Sequence, residues 1–349
     1  MKNLSKKVVS MISTLLVLML ALSACDVFGG GGGNDYPTRD INIVVPWGAG
    51  GGTDLTVRSL ASIMQEEIGV NMPVINQGGA SGSVGMQDVF DSSRDGYRIL
   101  GTSMSSITTV QVMGLADIHY TDWYAWNAAF TPNVIVVRGD SPYQTIEDLA
   151  QAMLDNPGEI PVGSAGPGSS GHIGAVAFAN AIGGSFRHIP YEGGNPAIIA
   201  TLGGEVEFNA QLLNEMVDYI RSGELRALAN MSREDMTLIG TDGSTIVIPT
   251  IATYAPAIDY MLPLGGSFGL MVPRDTEDDI VSALNTAYTA AVNSQAFADF
   301  AADRGMVVFG YDNAQTDAYL SNNASRLTWL LHDEGLTARS PEELGIPRP

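Results

Sequence analysis

The sequence is short of lysine and of cysteine. Its three lysines, Lys2, Lys6 and Lys7, all precede the first hydrophobic run, so the positive charge of the remaining chain comes from 14 arginines, against 38 acidic residues. Without lysine, that part of the chain has no amine for a Schiff base or pyridoxal phosphate and no P-loop. The acidic excess, a formal net charge of −21 for the whole chain, also disfavours nucleic acids as partners.

The single cysteine, Cys25, ends an N-terminal segment that is typical of a secretion signal. The lysines precede an apolar run from Val8 to Leu22, and Leu-Ser-Ala-Cys resembles a bacterial lipobox, which implies cleavage before Cys25 and a lipid on its sulfur. We therefore predict a signal peptide over residues 1–24 and a lipidated cysteine with a Gly-rich tether over residues 25–35. A lipidated cysteine leaves no free thiol nucleophile and no disulfide. A plain signal peptide with an incidental cysteine is the alternative.

Long apolar runs are absent from the rest of the chain, because no internal segment reaches 18 uninterrupted apolar residues. No membrane span is therefore predicted within the folded body. The body has about 315 residues, more than one core usually serves, which favours two domains.

Short apolar strands alternate with helices from Ile41 onwards. INIVV, PVINQ and YRILGTS are predicted strands, separated by a helix that ends near Ile68 and by a second helix near residues 84–91. The same architecture begins again after PNVIVVRGDSPY, where Thr145 and Asp148 form a capping pattern for the next helix. This alternation predicts parallel, doubly wound sheets that bind ligands at the carboxyl ends of their strands.

The C-terminal segment has too few strands for a sheet of its own, so we expect it to return to the first half. The prediction is an α/β fold of two lobes with two crossovers, each lobe containing a doubly wound, mostly parallel sheet. Lobe 1 is assigned residues 36–137 and 261–349, and lobe 2 is assigned residues 138–260.

Two glycine-rich loops, GAGGGTD and GPGSSGH, each follow a strand and open a helix. Backbone N–H groups at a helix start lack partners and carry partial positive charge, so such a loop can hold an anion. Asp54 or Thr53 is a candidate cap for the first helix, and Ser169 or Ser170 for the second. Tight turns with good caps are the structural alternative, but two loops in corresponding places favour a ligand site.

Other chemistry on these loops receives little support from the sequence. GPGSSG also fits a dinucleotide fingerprint, with Glu192 about twenty residues on. Pro167 is unusual there, however, and a secreted protein has little access to NAD, so no cofactor is predicted. Neither Ser169 nor Ser170 lies in a nucleophile elbow, G-x-S-x-G, but Ser169 or Ser170 with His172 leaves a secreted hydrolase as an alternative.

The histidines and one aromatic cluster are candidates for a metal site and for a ligand wall. His119, His172, His188 and His332 lack metal-ligand spacing, so no metal site is predicted. The aromatic cluster YTDWYAW, residues 120–126, can either wall a ligand or pack onto its own domain.

Six segments together resemble the successive motifs of the substrate-binding proteins of tripartite tricarboxylate transporters. They are VPWGAGGGTD (45–54), VINQGGASGSVG (74–85), DGYRIL (95–100), VGSAGPGSSGH (162–172), HIPYEGGNPA (188–197) and SGELRALANMS (222–232). The similarity spans about residues 36 to 335. It implies a type II periplasmic-binding-protein fold that closes on a small carboxylate, with residues 47–54 and 166–172 holding the carboxylate partly through backbone N–H groups and waters.

The sequence departs from this family at a few positions. Trp47 stands where phenylalanine is common, and Gly78 where proline is common. The family usually has an acidic residue near Gln211, in the segment that closes over the distal end of the ligand, so the identity of the ligand stays open.

The predicted ligand-binding residues lie on the two loops, at the ends of the second and third strands, and in the segments that face them. They are Trp47, Gly48, Ala49, Gly50, Gly51, Gly52, Thr53, Asp54, Asn76, Ser103, Met104, Gly166, Gly168, Ser169, Ser170, His172, Tyr191 and Gln211.

These observations predict an extracytoplasmic, lipid-anchored, monomeric solute-binding protein without catalytic activity. It would capture a mono-, di- or tricarboxylate between its lobes and deliver it to the membrane subunits of a tripartite tricarboxylate-type transporter. The alternatives are the secreted serine hydrolase and a ligand sensor for a signalling partner.

Overall fold

The computed structural model describes residues 36–349, so the predicted signal peptide, Cys25 and the tether lie outside the described residues. The strands are β1 (Asn42–Val45), β2 (Val74–Asn76), β3 (Arg98–Ser103), β4 (Trp123–Pro132), β5 (Val134–Arg138), β6 (Pro161–Ser164), β7 (Arg187–Pro190), β8 (Phe208–Asn209), β9 (Leu225–Asn230), β10 (Met236–Ile239), β11 (Thr245–Ile248), β12 (Gly265–Pro273) and β13 (Val307–Tyr311).

Helices follow most of the strands. The α-helices are α1 (Gly52–Ile68), α2 (Ser83–Phe90), α3 (Met104–Thr109), α4 (Ile146–Asp155), α5 (Ser170–Ile182), α6 (Gly194–Gly203), α7 (Leu213–Arg221), α8 (Ile251–Tyr254), α9 (Asp278–Val292), α10 (Gln295–Asp303) and α11 (Asn313–Asp333). Short 3₁₀ turns lie at Ala80–Gly82, Tyr120–Asp122, Pro256–Met261 and Glu342–Leu344. Within residues 36–349, no helix has both the length and the apolar character needed to cross a membrane.

The strands build two main sheets. The first has the order β13-β4-β12-β3-β1-β2, and the second has the order β7-β6-β8-β5-β9. A separate antiparallel hairpin joins β10 to β11. We call the part of the molecule around the first sheet the first lobe and the part around the second sheet the second lobe.

The predicted α/β architecture of two lobes with two crossovers is confirmed, but both sheets are mixed rather than mostly parallel. β1, β2 and β3 are parallel, as are β6, β7 and β8. β4, β5 and β12 are instead antiparallel to their neighbours. The physical reason lies in the crossovers, because β4 and β5 carry the chain out of the first sheet into the second and β12 brings it back beside β4.

Asn133 is the only residue between β4 and β5, so it forms the first crossover. Its N–H donates to Leu264 O at 3.0 Å, just before β12, and its carbonyl accepts from Met231 N–H at 2.9 Å. Its side-chain Nδ2 donates to Ala210 O at 2.6 Å and to Ser170 O at 3.2 Å. The side chain at the crossover is therefore bonded to the start of α5 in the second lobe.

The residue ranges of the two lobes stay a prediction. The pairing of β5 bears on the boundary between lobe 1 and lobe 2. β5 was assigned to the end of the lobe 1 range, but it is hydrogen bonded to β8 and β9 in the second sheet. β12 and β13, from the C-terminal segment, lie in the first sheet.

The aromatic cluster at residues 120–126 contributes to the core of the first lobe. Trp123 and Trp126 lie on β4 and are fully buried. Their rings pack against Phe90 at 5.4 Å and Tyr288 at 6.2 Å between centroids. For these two tryptophans the packing interpretation is therefore confirmed over a role in walling a ligand.

Candidate ligand-binding cleft

A cavity of about 30 Å³ lies where the two lobes meet. It has room for about two water molecules, so the lobes are closed on each other. It is lined by Trp47, Gly51, Gly52, Thr53, Ser103, Ser106, Ala165, Ser169, Ser170, Gly194, Gln211, Leu212, Glu215 and Phe268.

The first glycine loop is held in shape by the side chains of Asp54 and Asn76. Asp54 Oδ2 accepts from Gly50 N–H at 2.9 Å, and Asn76 Nδ2 donates to Asp54 Oδ1 at 2.8 Å and to Trp47 O at 3.0 Å. Burial raises the pKa of Asp54, but hydrogen bonds from Arg58, Gly50 and Asn76 outweigh it and lower the pKa below its ordinary value. Asp54 is therefore ionised and stabilises the loop by hydrogen bonds, and it does not line the cavity.

Helix α1 has no side-chain cap from its own loop, so the predicted capping by Asp54 or Thr53 is wrong. Its N-cap is Gly51. The N–H of Gly52 instead donates to Glu215 Oε1, on α7 of the second lobe, at 2.8 Å. Asp54 fails as a cap because its carboxylate is occupied by the loop and by Arg58. A carboxylate from the opposite lobe thus occupies the anion position at the start of α1.

Glu215 is the central residue that the sequence reasoning missed. Its Oε2 is inaccessible to solvent and has no hydrogen-bond partner. Burial raises the pKa of Glu215 to about 7, and the hydrogen bond from Gly52 lowers it only in part. The usual acidic residue near Gln211 was a signal that could have located it, because Glu215 lies close to Gln211 in sequence, in the first turn of α7.

The second glycine loop is capped as predicted. Ser169 is the N-cap of α5, and its Oγ accepts from His172 N–H at 3.4 Å. The loop also contacts the first lobe, because Thr109 Oγ1 donates to Gly168 O at 2.9 Å. The two glycine loops are thus brought together by the fold, each opening a helix beside the cavity.

His172 and His188 brace the second loop from behind. Their rings stack with centroids 4.2 Å apart. His172 Nδ1 accepts from Gly168 N–H at 3.1 Å, and His188 Nε2 lies 2.6 Å from Ser164 Oγ. Burial lowers the pKa of His172 to about 3, with a smaller contribution from His188, and burial lowers that of His188 to about 4. Both rings are therefore neutral near pH 7, and Nδ1 of His172 is occupied by the Gly168 amide.

Several buried polar atoms around the cavity have no partner. They include Trp47 Nε1, Gln211 Nε2 and both amide atoms of Asn214. Gln211 is 2% exposed and Trp47 is 8% exposed. Buried polar groups are normally hydrogen bonded, so these atoms, with Glu215 Oε2, are available to a ligand or to water.

A larger recess of about 500 Å³ lies behind the second loop, against His172, Phe186 and His188. None of the residues that line it has an unpartnered buried side-chain polar atom. It therefore offers a ligand no buried polar atom that needs a partner, so the smaller cavity between the lobes is the better candidate.

The structure places some predicted site residues on the cavity and others behind it, and ligand contact stays a prediction for all of them. Those on the cavity are Trp47, Gly51, Gly52, Thr53, Ser103, Ser169, Ser170 and Gln211. Those that do not line it are Gly48, Ala49, Gly50, Asp54, Asn76, Met104, Gly166, Gly168, His172 and Tyr191. The lining residues that were missed are Ser106, Ala165, Gly194, Leu212, Glu215 and Phe268.

Metal binding finds no support in the described residues. No group of three or more His, Cys, Asp or Glu side chains within residues 36–349 is placed to hold an ion.

Comparison with known proteins relates this chain to a receptor family. The family model described as tripartite tricarboxylate transporter family receptor matches residues 56–336. Protein BugT of Bordetella pertussis (strain Tohama I) is 26% identical over 337 residues, which cover 93% of this chain and 98% of BugT. The structure of periplasmic binding protein BugD matches with a TM-score of 0.77 and 27% identity, over 86% of this chain and 99% of BugD.

A further solved structure shares the fold. MatC from Rhodopseudomonas palustris, solved with bound malate, matches with a TM-score of 0.75 and 22% identity, over 85% of this chain and 100% of MatC. With BugD, it confirms the predicted periplasmic-binding-protein fold.

Proposed function

The chain belongs to the tripartite tricarboxylate transporter receptor family, and on that premise we propose that it captures a small organic carboxylate between its lobes. One observation carries the proposal for this cleft. The N–H of Gly52, at the start of α1, already donates to a carboxylate oxygen, that of Glu215, at 2.8 Å. The start of α1 thus stabilises a carboxyl oxygen at the cleft through a backbone N–H group, as helix starts do for anions.

The carboxylate is recognised by groups that contact it directly and not by long-range electrostatic attraction. Glu215 is the only ionisable residue among those that line the cavity in the described part of the chain. An anion therefore meets no arginine or lysine there and is held by backbone amides, hydroxyl groups, the Trp47 indole and the Gln211 amide. The strongly acidic chain would slow rather than steer its approach.

A thermal-shift experiment tests this function. Malate, adipate, citrate and acetate are compared with nicotinamide and benzamide at equal concentrations. A bound acid at about 100 times its Kd should stabilise the protein by about 2.7 kcal/mol. A panel in which only the neutral or aromatic compounds raise Tm contradicts carboxylate binding.

Delivery of the solute to transporter membrane subunits is the second part of the proposal. The family relationship supports it, and so does lobe closure, which would present one composite surface to a partner. A role without catalytic activity fits this proposal, because Nδ1 of His172 is hydrogen bonded to the Gly168 amide and not to Ser169 or Ser170. We also propose that the protein acts as a monomer.

Lipid anchoring through Cys25 completes the proposal. We expect Cys25→Ser to move the protein from the membrane fraction to the soluble fraction, because the thiol that carries the lipid is lost. Ser23→Ala keeps a small residue before the cysteine and is the matched control, which should stay in the membrane fraction. Fractionation with immunoblotting measures the distribution, and equal distribution of wild type and Cys25→Ser contradicts the anchor.

A further inference from the structure

One oxygen of the Glu215 carboxyl group has a hydrogen-bond partner and the other has none. Oε1 accepts from Gly52 N–H at 2.8 Å, whereas Oε2 is buried without a partner. Oε2 lies against Gly194 at the start of α6, where an added Cβ would overlap it. Gln211 and Trp47 line the same cavity with unpartnered N–H groups. A ligand carboxylate that meets these N–H groups therefore lies beside the Glu215 carboxyl.

Among the described residues that line the cavity, no arginine or lysine is present to balance two carboxylates. On α1, Asp54 and Arg58 are paired with each other. On α7, the helix of Glu215, the charged neighbours Asp218 and Arg221 are paired with Arg304 and Asp303 of the first lobe.

The remaining elements around Glu215 also lack a free cation in the described chain, since Arg226 of β9, which packs against α7, donates to the carbonyls of Gly139, Ser141 and Tyr143. Helix α6 has no ionisable side chain, and the loop before it contains Glu192 and Tyr191. Helix α5 contributes His172, which is neutral because burial lowers its pKa. An ionised Glu215 would therefore repel an incoming carboxylate inside a water-poor cavity.

A proton shared between the two carboxyl groups removes this repulsion. We propose that Glu215 is a ligand-binding residue that carries a proton on Oε2 in the occupied cleft and donates it in a hydrogen bond to the bound carboxylate. Capture of the anion then takes up one proton from solvent, and no covalent bond of the ligand changes. This inference rests on the proposed function, because it requires a carboxylate ligand.

The position of Glu215 makes this proton available near neutral pH. Burial raises its pKa to about 7, and a bound anion nearby raises the pKa further. The neutral carboxyl also selects the ligand, since Oε2–H requires an acceptor. A ligand that places an ammonium group there would instead favour ionised Glu215 and bind without proton uptake.

Calorimetric titration with malate, adipate and citrate tests the inference, using phosphate and Tris buffers between pH 6.5 and 8.5. For the wild type we expect about one proton taken up per ligand at pH 8, and a Kd that weakens up to tenfold per pH unit above the pKa. Glu215→Gln keeps a donor and an acceptor of the same shape and should bind with no proton uptake and little pH dependence. Glu192→Gln, which removes an acid outside the cavity, is the control and should behave as the wild type.

Two results overturn the inference in different ways. Wild-type binding that is independent of pH and of buffer contradicts the role of Glu215 and leaves carboxylate capture standing. If none of the three acids binds to the wild type or to Glu215→Gln at pH 6.5, the proposed function is wrong and the inference fails with it.

Discussion

Lowering the pH from 7 to 4.5 should destabilise the wild type by about 3 kcal/mol more than the His172→Gln variant. Burial holds the pKa of His172 at about 3 in the folded protein, whereas the unfolded chain takes up the proton near pH 6.5. The contribution of the neutral ring is therefore present above pH 6.5 and is lost as the pH falls towards 3. Glutamine retains an acceptor for Gly168 N–H but has no proton to gain.

Comparing the two proteins separates His172 from groups that titrate in the same range. The pKa of Glu215 is raised to about 7, so Glu215 acts in the opposite direction and adds stability as the pH falls from 7 towards its unfolded value. That contribution is common to both proteins and cancels in the difference. Urea unfolding at pH 7, 5.5 and 4.5 measures the effect.

A second measurement reads the histidines directly. The imidazole proton resonances of His172 and His188 should not titrate between pH 8 and 5 in the folded protein, because burial keeps both rings neutral. Midpoints near 6.5 for both rings, or equal acid lability of wild type and variant, contradict the prediction.

Gly52→Ala should weaken carboxylate binding by about 5-fold to 150-fold while leaving the stability of the ligand-free protein almost unchanged. The added Cβ would lie 2.8 Å from Nδ2 and Oδ1 of Asn214, on α7 of the opposite lobe. Overpacking of this kind costs about 1–3 kcal/mol, and each 1.4 kcal/mol is tenfold in Kd. Separation of the lobes relieves the contact, and alanine favours the helix, so the open protein is not penalised.

A glycine outside the cavity is the control. A Cβ at Gly203, at the end of α6, would meet no atom within 4 Å. Gly203→Ala should therefore bind within about twofold of the wild type. Equal losses of affinity in both variants, or a fall in Tm for Gly52→Ala, would show that the effect is local misfolding and not impaired closure.

Local features of the fold were predictable because their causes are local. The capping box of α4 forms as expected, with Thr145 Oγ1 accepting from Asp148 N–H at 3.3 Å and Asp148 Oδ2 accepting from Thr145 N–H at 3.0 Å. The two glycine loops open helices α1 and α5 because strand ends and helix starts are marked by their own residues.

The chemistry of the cleft was less predictable because it depends on residues far apart in sequence. Glu215 looks like an ordinary acid in the first turn of an amphipathic helix, and only closure of the lobes brings it to Gly52. In the sequence, Asp54 has the position of a helix cap or a ligand-binding group. Its role in supporting the first glycine loop depends on its contact with Asn76 from β2. Phe268 reaches the cavity because β12 inserts between β3 and β4, a pairing that no local pattern encodes.

Asn133 determines how the cleft can open. Its amide nitrogen bonds Ser170 O, at the start of α5, and Ala210 O, just after β8, while its backbone bonds Leu264 and Met231 at the second crossover. These hydrogen bonds join the first crossover to the second glycine loop, so the two should move together as one rigid unit. Rotation about the crossovers changes the angle between the two loops but preserves the shape of the second loop, so a ligand is released by tilting of one preformed surface away from another.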